Sequence, residues 1–325
     1  MSVKYPEIIK EKDFSQKISY INSQLCEIKT SKRIFVTKKV SLYLEEYINP
    51  NANANIIILH GFSEFCQKYR ETVWYFYNLG FNVFVYDQRD HGFSCRAVQD
   101  SQLLNVENFE DYSTDLEFII NNEISVLAPN LKLYIFSHSM GGAVALYYCL
   151  KHPDKIEKLV LSSPLVALKT MNIPRFAVLF LAKLSAKKNG VYSAFPFQRS
   201  FDPNVRFCDS ADMSEARFNE YLKLRIENPQ YQPSIATNNW MFEALKVSKR
   251  LLKENDISKI KTKVIMFVAE SENTVKKSLQ KKLAKKLNGC RFEMLKNTKH
   301  NIFSSEDSVL ERYYTAIFDF FCENG

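Results

Sequence analysis

Hydrophobic and polar positions along this chain follow two alternating rhythms. Residues 56–59, 81–86 and 133–136 are short, apolar throughout and bounded by small or polar residues, the pattern of strands buried on both faces. Between them apolar residues recur at helical spacing and predict helices over 66–79, 106–127 and 143–150. Residues 33–37 and 40–47 predict a pair of early strands, followed by the polar loop "NPNANANI". Further strands are predicted at 157–161, 263–268 and 291–295, with amphipathic helices at 274–287 and from about 308 to 322. Strands alternating with helices predict an α/β protein with a mostly parallel sheet covered on both faces.

The alternation breaks after Pro164 and resumes near Trp240. The intervening stretch is helical in character and no strand follows it promptly. It predicts an inserted cap over the carboxyl ends of the strands, where open α/β sheets bind ligands. The expected organisation is a core at 1–163 and 241–325 with a cap at 164–240.

Charge and composition change this picture little. The net charge is +8, but many of the lysines gather in "TVKKSLQKKLAKKL". There Val275, Leu279, Leu283 and Leu287 repeat every four residues and the lysines take the other side, which predicts an amphipathic helix with a solvated face. No groove-reading motif accompanies it, so a nucleic-acid partner is not expected. The seven cysteines form no C-x-x-C pair and read as free thiols of a cytoplasmic protein. No secretory signal and no spanning segment is expected. No metal and no cofactor is implied.

The chemistry starts at "LYIFSHSMGGAVALYY". A buried strand must become a helix within 137–142, and Ser139 sits at the apex with small residues around it. This is the logic of the G-x-S-x-G nucleophile elbow, with Ser137 in place of the first glycine. A nucleophilic serine needs a base, a group to orient the base, and donors for an oxyanion. Of five histidines, His138 adjoins Ser139 but should diverge from it, His152 ends a helix, and His60 and His91 follow earlier strands. His300, in the loop between the last strand and the last helix, is the expected base. The acid is expected in "KVIMFVAESENTVKK". Glu272 is preferred over Glu270 because it lies farther past the strand. For the oxyanion, Gly61 allows a turn that aims the Phe62 amide inward beside the Met140 amide, each donor being worth about 2.7–4 kcal/mol. The "DQRDHGFS" run reads as a structured loop beside the site.

Taken with "HGFSE" and the "KY" shortly after it, "VYDQRDHGFS", "SHSMGG", "VAESENTV" and "KH", the chain resembles the α/β-hydrolase family of monoacylglycerol lipases and bacterial lysophospholipases, the serine aminopeptidase-like hydrolases. The resemblance runs from about Val40 to the C-terminus, and the "YDQRDHGFS" and "AESENTV" forms look closer to the bacterial lysophospholipases. It implies an α/β-hydrolase fold with nucleophile Ser139, acid Glu272, base His300 and oxyanion amides at Phe62 and Met140. Ser137 departs from the family's first elbow glycine, and Glu272 stands where many relatives have aspartate.

The expected function is hydrolysis of single-chain lipid esters through an acyl-enzyme on Ser139. The apolar and basic cap stretch "NIPRFAVLFLAKLSAKK" suggests a lid helix that lines an acyl tunnel or makes peripheral membrane contact. Two alternatives stand beside this. An aminopeptidase on the same fold would need a cap carboxylate such as Asp202, Asp209, Asp212 or Glu215 for a substrate ammonium. A hydrolase-fold binding protein would have no catalysis at all.

Overall fold

The computed structural model describes residues 5–170, 173–210, 213–253 and 257–323. Eight strands form one sheet: β1 Lys29–Phe35, β2 Ser41–Tyr47, β3 Ala54–Leu59, β4 Phe81–Asp87, β5 Lys132–His138, β6 Lys158–Ser162, β7 Lys263–Ala269 and β8 Arg291–Leu295. Their spatial order is β1, β2, β4, β3, β5, β6, β7, β8. β2 pairs antiparallel with both β1 and β4, and every other pairing is parallel.

The apolar runs are explained by this arrangement. In β3, Ile57 and Leu59 pack into one core layer while Ile56 and Ile58 pack into the other. The same split separates Ile135 from Tyr134 and Phe136 in β5, and Met266 and Val268 from Ile265 and Phe267 in β7. A period of two therefore runs through strands that look uniformly apolar, because both faces are covered.

The main helices among the described residues are α1 Phe14–Ile28, α2 Arg70–Asn78, α3 Glu110–Ile119, α4 Met140–Lys151, α5 Arg175–Asn189, α6 Glu215–Glu227, α7 Asn238–Leu251, α8 Lys277–Ala284 and α9 Asp307–Cys322. α1 has no counterpart in the sequence reading. Its buried Phe14, Ile18, Ile21 and Leu25 follow helical spacing, diluted by the polar Ser15, Gln16, Lys17, Ser19, Asn22, Ser23 and Gln24 between them. β1 accordingly starts at Lys29, earlier than the expected 33. The helix expected over 66–79 begins as a 3-10 turn, Cys66–Tyr69, and the one over 106–127 passes through a π-helical turn at Ile120–Ile124. The lysine-faced helix is shorter than its pattern, yet Val275, Leu283 and Leu287 are all buried. α4 is apolar on all sides because Met140 to Cys149 are buried without interruption.

Between β6 and β7 the chain leaves the sheet. It forms α5, a short turn of helix at Phe207–Ser210, α6 and the two-residue strand Ile235–Ala236, which pairs with Leu103–Leu104. α7 then returns to the core through Trp240, Ala244, Val247 and Leu251. Among the described residues no helix is long and apolar enough to cross a membrane.

Candidate active site

The strand-to-helix turn after β5 holds Ser139 in a strained conformation, φ 50° and ψ −114°. Non-glycine residues avoid that region, so neighbours must enforce it. The Ser139 amide donates to the Ser162 carbonyl at 3.0 Å, and its carbonyl accepts from the Leu165 amide at 2.7 Å. The small residues are sterically required. A Cβ on Gly141 would lie 2.2 Å from the Leu59 carbonyl oxygen, and one on Gly142 would lie 2.7 Å from Pro164 Cβ. Ser137 fits at the departed glycine position because its buried hydroxyl donates to the Val160 carbonyl at 2.8 Å.

His300 arrives on the loop between β8 and α9. Its Nε2 lies 2.8 Å from Ser139 Oγ. Its Nδ1 lies 2.9 Å from both carboxylate oxygens of Glu272. A carboxylate only accepts, so Nδ1 carries the proton and Nε2 offers its lone pair to the serine hydroxyl. All three side chains are buried. Burial pushes the Glu272 carboxyl up, but the His300 ring and the Thr274 and Val275 amides outweigh it and hold the group below its usual value. Those amides reach Glu272 Oε1 at 2.9 and 3.3 Å. Glu270 faces elsewhere: its Oε2 accepts from the Asn297 amide at 3.4 Å.

Phe62 lies in the loop after β3, its ring 4.2 Å from that of Trp240 in α7. Met140 is the first residue of α4, where helix N–H groups have no intrahelical acceptor. The loop carrying Phe62 is braced by Glu64. Its buried carboxylate accepts from the Gly61 amide at 2.6 Å and the Tyr69 hydroxyl at 2.5 Å. It also accepts from Lys68 Nζ and faces His138 Nδ1 at 3.1 Å. Burial would raise this carboxyl, yet Lys68 and His138 hold it well below its ordinary value. Lys68 also donates to Asn301 Oδ1 at 2.8 Å, beside His300. The same hub therefore touches both loops of the site.

Glu64, Lys68 and Tyr69 were visible in the sequence only as motif letters. Their i, i+4, i+5 spacing was the available signal. His138 does diverge from Ser139, but it turns back under His300. His60 is fully buried and its Nε2 accepts from the Gln88 amide at 2.9 Å. Burial lowers its pKa to about 4, so the ring is neutral. The loop "DQRDHGFS" is tied down by Asp87, which accepts from the Cys66 and Phe93 amides, and by the Arg89–Asp115 pair. Gly92 has φ +48°, and a Cβ there would meet the Asp87 carboxylate at 2.1 Å. Of the carboxylates an aminopeptidase could use, Asp202 and Glu215 are exposed. Asp212 and the Asp209 side chain lie outside the described residues.

A family model described as serine aminopeptidase, S33, matches residues 50–307. The probable lysophospholipase L2 of Haemophilus influenzae is 26% identical over 278 residues, covering 84% of this chain and 85% of its own. Lysophospholipase L2 of Escherichia coli K12 is 24% identical over 283 residues, covering 82% of this chain and 79% of its own. A crystal structure of a soluble variant of monoglyceride lipase from Saccharomyces cerevisiae superposes with a TM-score of 0.70 at 18% identity. It covers 91% of this chain and 95% of that one. At that identity the likeness speaks for the α/β-hydrolase fold alone.

Proposed function

The chain belongs to the serine aminopeptidase, S33 family of α/β hydrolases, and on that premise we propose that it hydrolyses carboxylic esters of single-chain lipids, of the lysophospholipase or monoacylglycerol type. The observation that carries the reading is the contact of His300 Nε2 with Ser139 Oγ at 2.8 Å, with Glu272 behind it. In this mechanism His300 removes the Ser139 proton as Oγ attacks the ester carbonyl. Glu272 holds the imidazole in the productive tautomer and stabilises the imidazolium. The Phe62 and Met140 amides receive the oxyanion. His300 then protonates the leaving glycerol oxygen, and a water activated by the same ring releases the fatty acid. No metal or cofactor enters the cycle.

Lipid is favoured over peptide by two features. Relatives matched over most of their own length are described as lysophospholipase L2 or probable lysophospholipase L2. Residues 164–240, read as the cap, also carry an apolar stripe on the outer face of α5, with Phe176, Phe180 and Leu184 exposed. In our reading this stripe makes peripheral contact with a lipid surface rather than lining an acyl tunnel, because the inward positions of α5 are Val178, Ala182 and Ser185. The protein is taken as cytoplasmic. The test is mass-spectrometric screening of the purified protein against mixed lysophospholipids, monoacylglycerols and aminoacyl amides. Fatty-acid release from the first two supports the reading, and faster turnover of the amides overturns it.

A further inference from the structure

Beside the apolar stripe, a groove opens between α5 and α7 and runs along the start of α3 and the end of α4. α5 contributes Arg175 and Lys183 to it, and α4 contributes Lys151. Lys246, Lys249 and Arg250 come from α7, and Lys253 follows it. Only three carboxylates, Glu110, Asp111 and Glu243, line the same groove among the described residues. Each already has a cation: Glu110 faces Lys151 at 4.0 Å, Asp111 pairs with Arg89 at 3.1 Å, and Glu243 pairs with Lys246. The groove thus keeps a surplus of positive charge.

We propose that this groove binds the anionic headgroups of phospholipids at a bilayer surface and orients the enzyme on it. Two arguments select a membrane over another polyanion. The first is charge: a cation near an anionic bilayer strengthens attachment by about fivefold. The second is continuity with the apolar face. On α5, positions 175, 179 and 183 form one row, and positions 176, 180 and 184 form the adjoining row. The second row is Phe176, Phe180 and Leu184, at 75%, 67% and 53% exposure. A soluble polyanion offers nothing to cover three exposed apolar side chains, whereas the acyl boundary beneath a layer of phosphates matches both rows at once.

This inference rests on the lipid-hydrolase reading but can fail separately from it. The experiment is co-sedimentation of the full chain with vesicles of phosphatidylcholine alone or mixed with phosphatidylglycerol. Hydrolysis of a soluble short-chain ester and of a detergent-dispersed lysophospholipid is measured in parallel. Wild type should bind the mixed vesicles at least about tenfold more tightly, with the advantage shrinking as salt screens it. Lys183→Glu combined with Lys249→Glu should erase that advantage and leave both hydrolytic rates unchanged. Phe180→Ser with Leu184→Ser should weaken binding to both vesicle types. Equal binding to the two compositions, or an advantage that survives the charge reversal, would overturn the proposal. So would retention on a soluble polyanion column without any vesicle binding. Charge-dependent vesicle binding without lysophospholipid hydrolysis would leave the groove standing and sink the substrate reading instead.

Discussion

His138 and His300 lie with their ring centroids 4.9 Å apart, and His138 Nε2 sits 3.3 Å from the His300 carbonyl oxygen. The residue next to Ser139 thus underpins the residue that faces it, and Glu64 contacts His138 from behind at 3.1 Å. In the proposed mechanism Glu64 and His138 touch no reacting atom and would act as positioning residues. Glu64→Ala removes the acceptor for the Gly61 amide, the Tyr69 hydroxyl, Lys68 and His138. Because misplacement by about 1 Å can cost about a hundredfold in rate, kcat should fall at least tenfold with KM within about threefold. Glu64→Gln keeps an oxygen acceptor and should recover part of the loss. A parallel loss of kcat and folded fraction in both variants, measured by circular dichroism, would reduce Glu64 to a fold-maintaining residue.

The same carboxylate makes a pH prediction. Its folded pKa is held well below the ordinary 4.5. The unfolded chain therefore takes up the proton first as pH falls, and Glu64's contribution to stability, complete above about pH 4.5, is lost below it. Urea unfolding should show wild type and Glu64→Gln furthest apart at neutral pH and converging in acid. A constant gap across that range would contradict the assignment.

Glu270 and Glu272 provide a contrast within one loop. Glu272 meets His300 Nδ1 at 2.9 Å, whereas Glu270 is engaged with the Asn297 amide. Glu272→Gln should lower kcat by orders of magnitude, since the amide can favour the wrong imidazole tautomer. Glu270→Gln should stay within about threefold of wild type in the same steady-state assay. A reversed ranking would hand the orienting role to Glu270.

Much of this was legible in the sequence for physical reasons. Strands buried on both faces write themselves as apolar runs. A serine held at φ 50° in a turn where Gly141 lies against the Leu59 carbonyl leaves small residues at fixed spacing. What escaped was encoded in pairings rather than spacing. Nothing local says that Glu64 meets His138, 74 residues away. The four apolar residues of the polar-looking segment 14–28 keep helical spacing, but nothing local says that they pack on α2 and α6. The cation row of α5 becomes a groove only when α7 is laid beside it.

Chain length should matter strongly for monomeric substrates. Eight added methylenes between butyrate and laurate esters represent about 6 kcal/mol of gross burial. If a third survives ordering costs, laurate should exceed butyrate by more than about tenfold in kcat/KM. Phe180→Ala with Leu184→Ala should spare this preference for dispersed monomers while slowing hydrolysis at vesicle surfaces, because both side chains face outward. Butyrate preferred over laurate below the micelle threshold would rule out the lipid reading.

The central claim is that Ser139, activated by His300, carries the acyl group of a single-chain lipid. It is tested most directly by following fatty-acid release from a lysophospholipid by purified wild type and Ser139→Ala, with tryptic mapping of the enzyme quenched during turnover. The account predicts an acyl adduct on the peptide containing Ser139 in wild type, no adduct in the variant, and a kcat lower by about a thousandfold or more. Fatty-acid release by Ser139→Ala within about tenfold of wild type, or an adduct mapped to another residue, would contradict it.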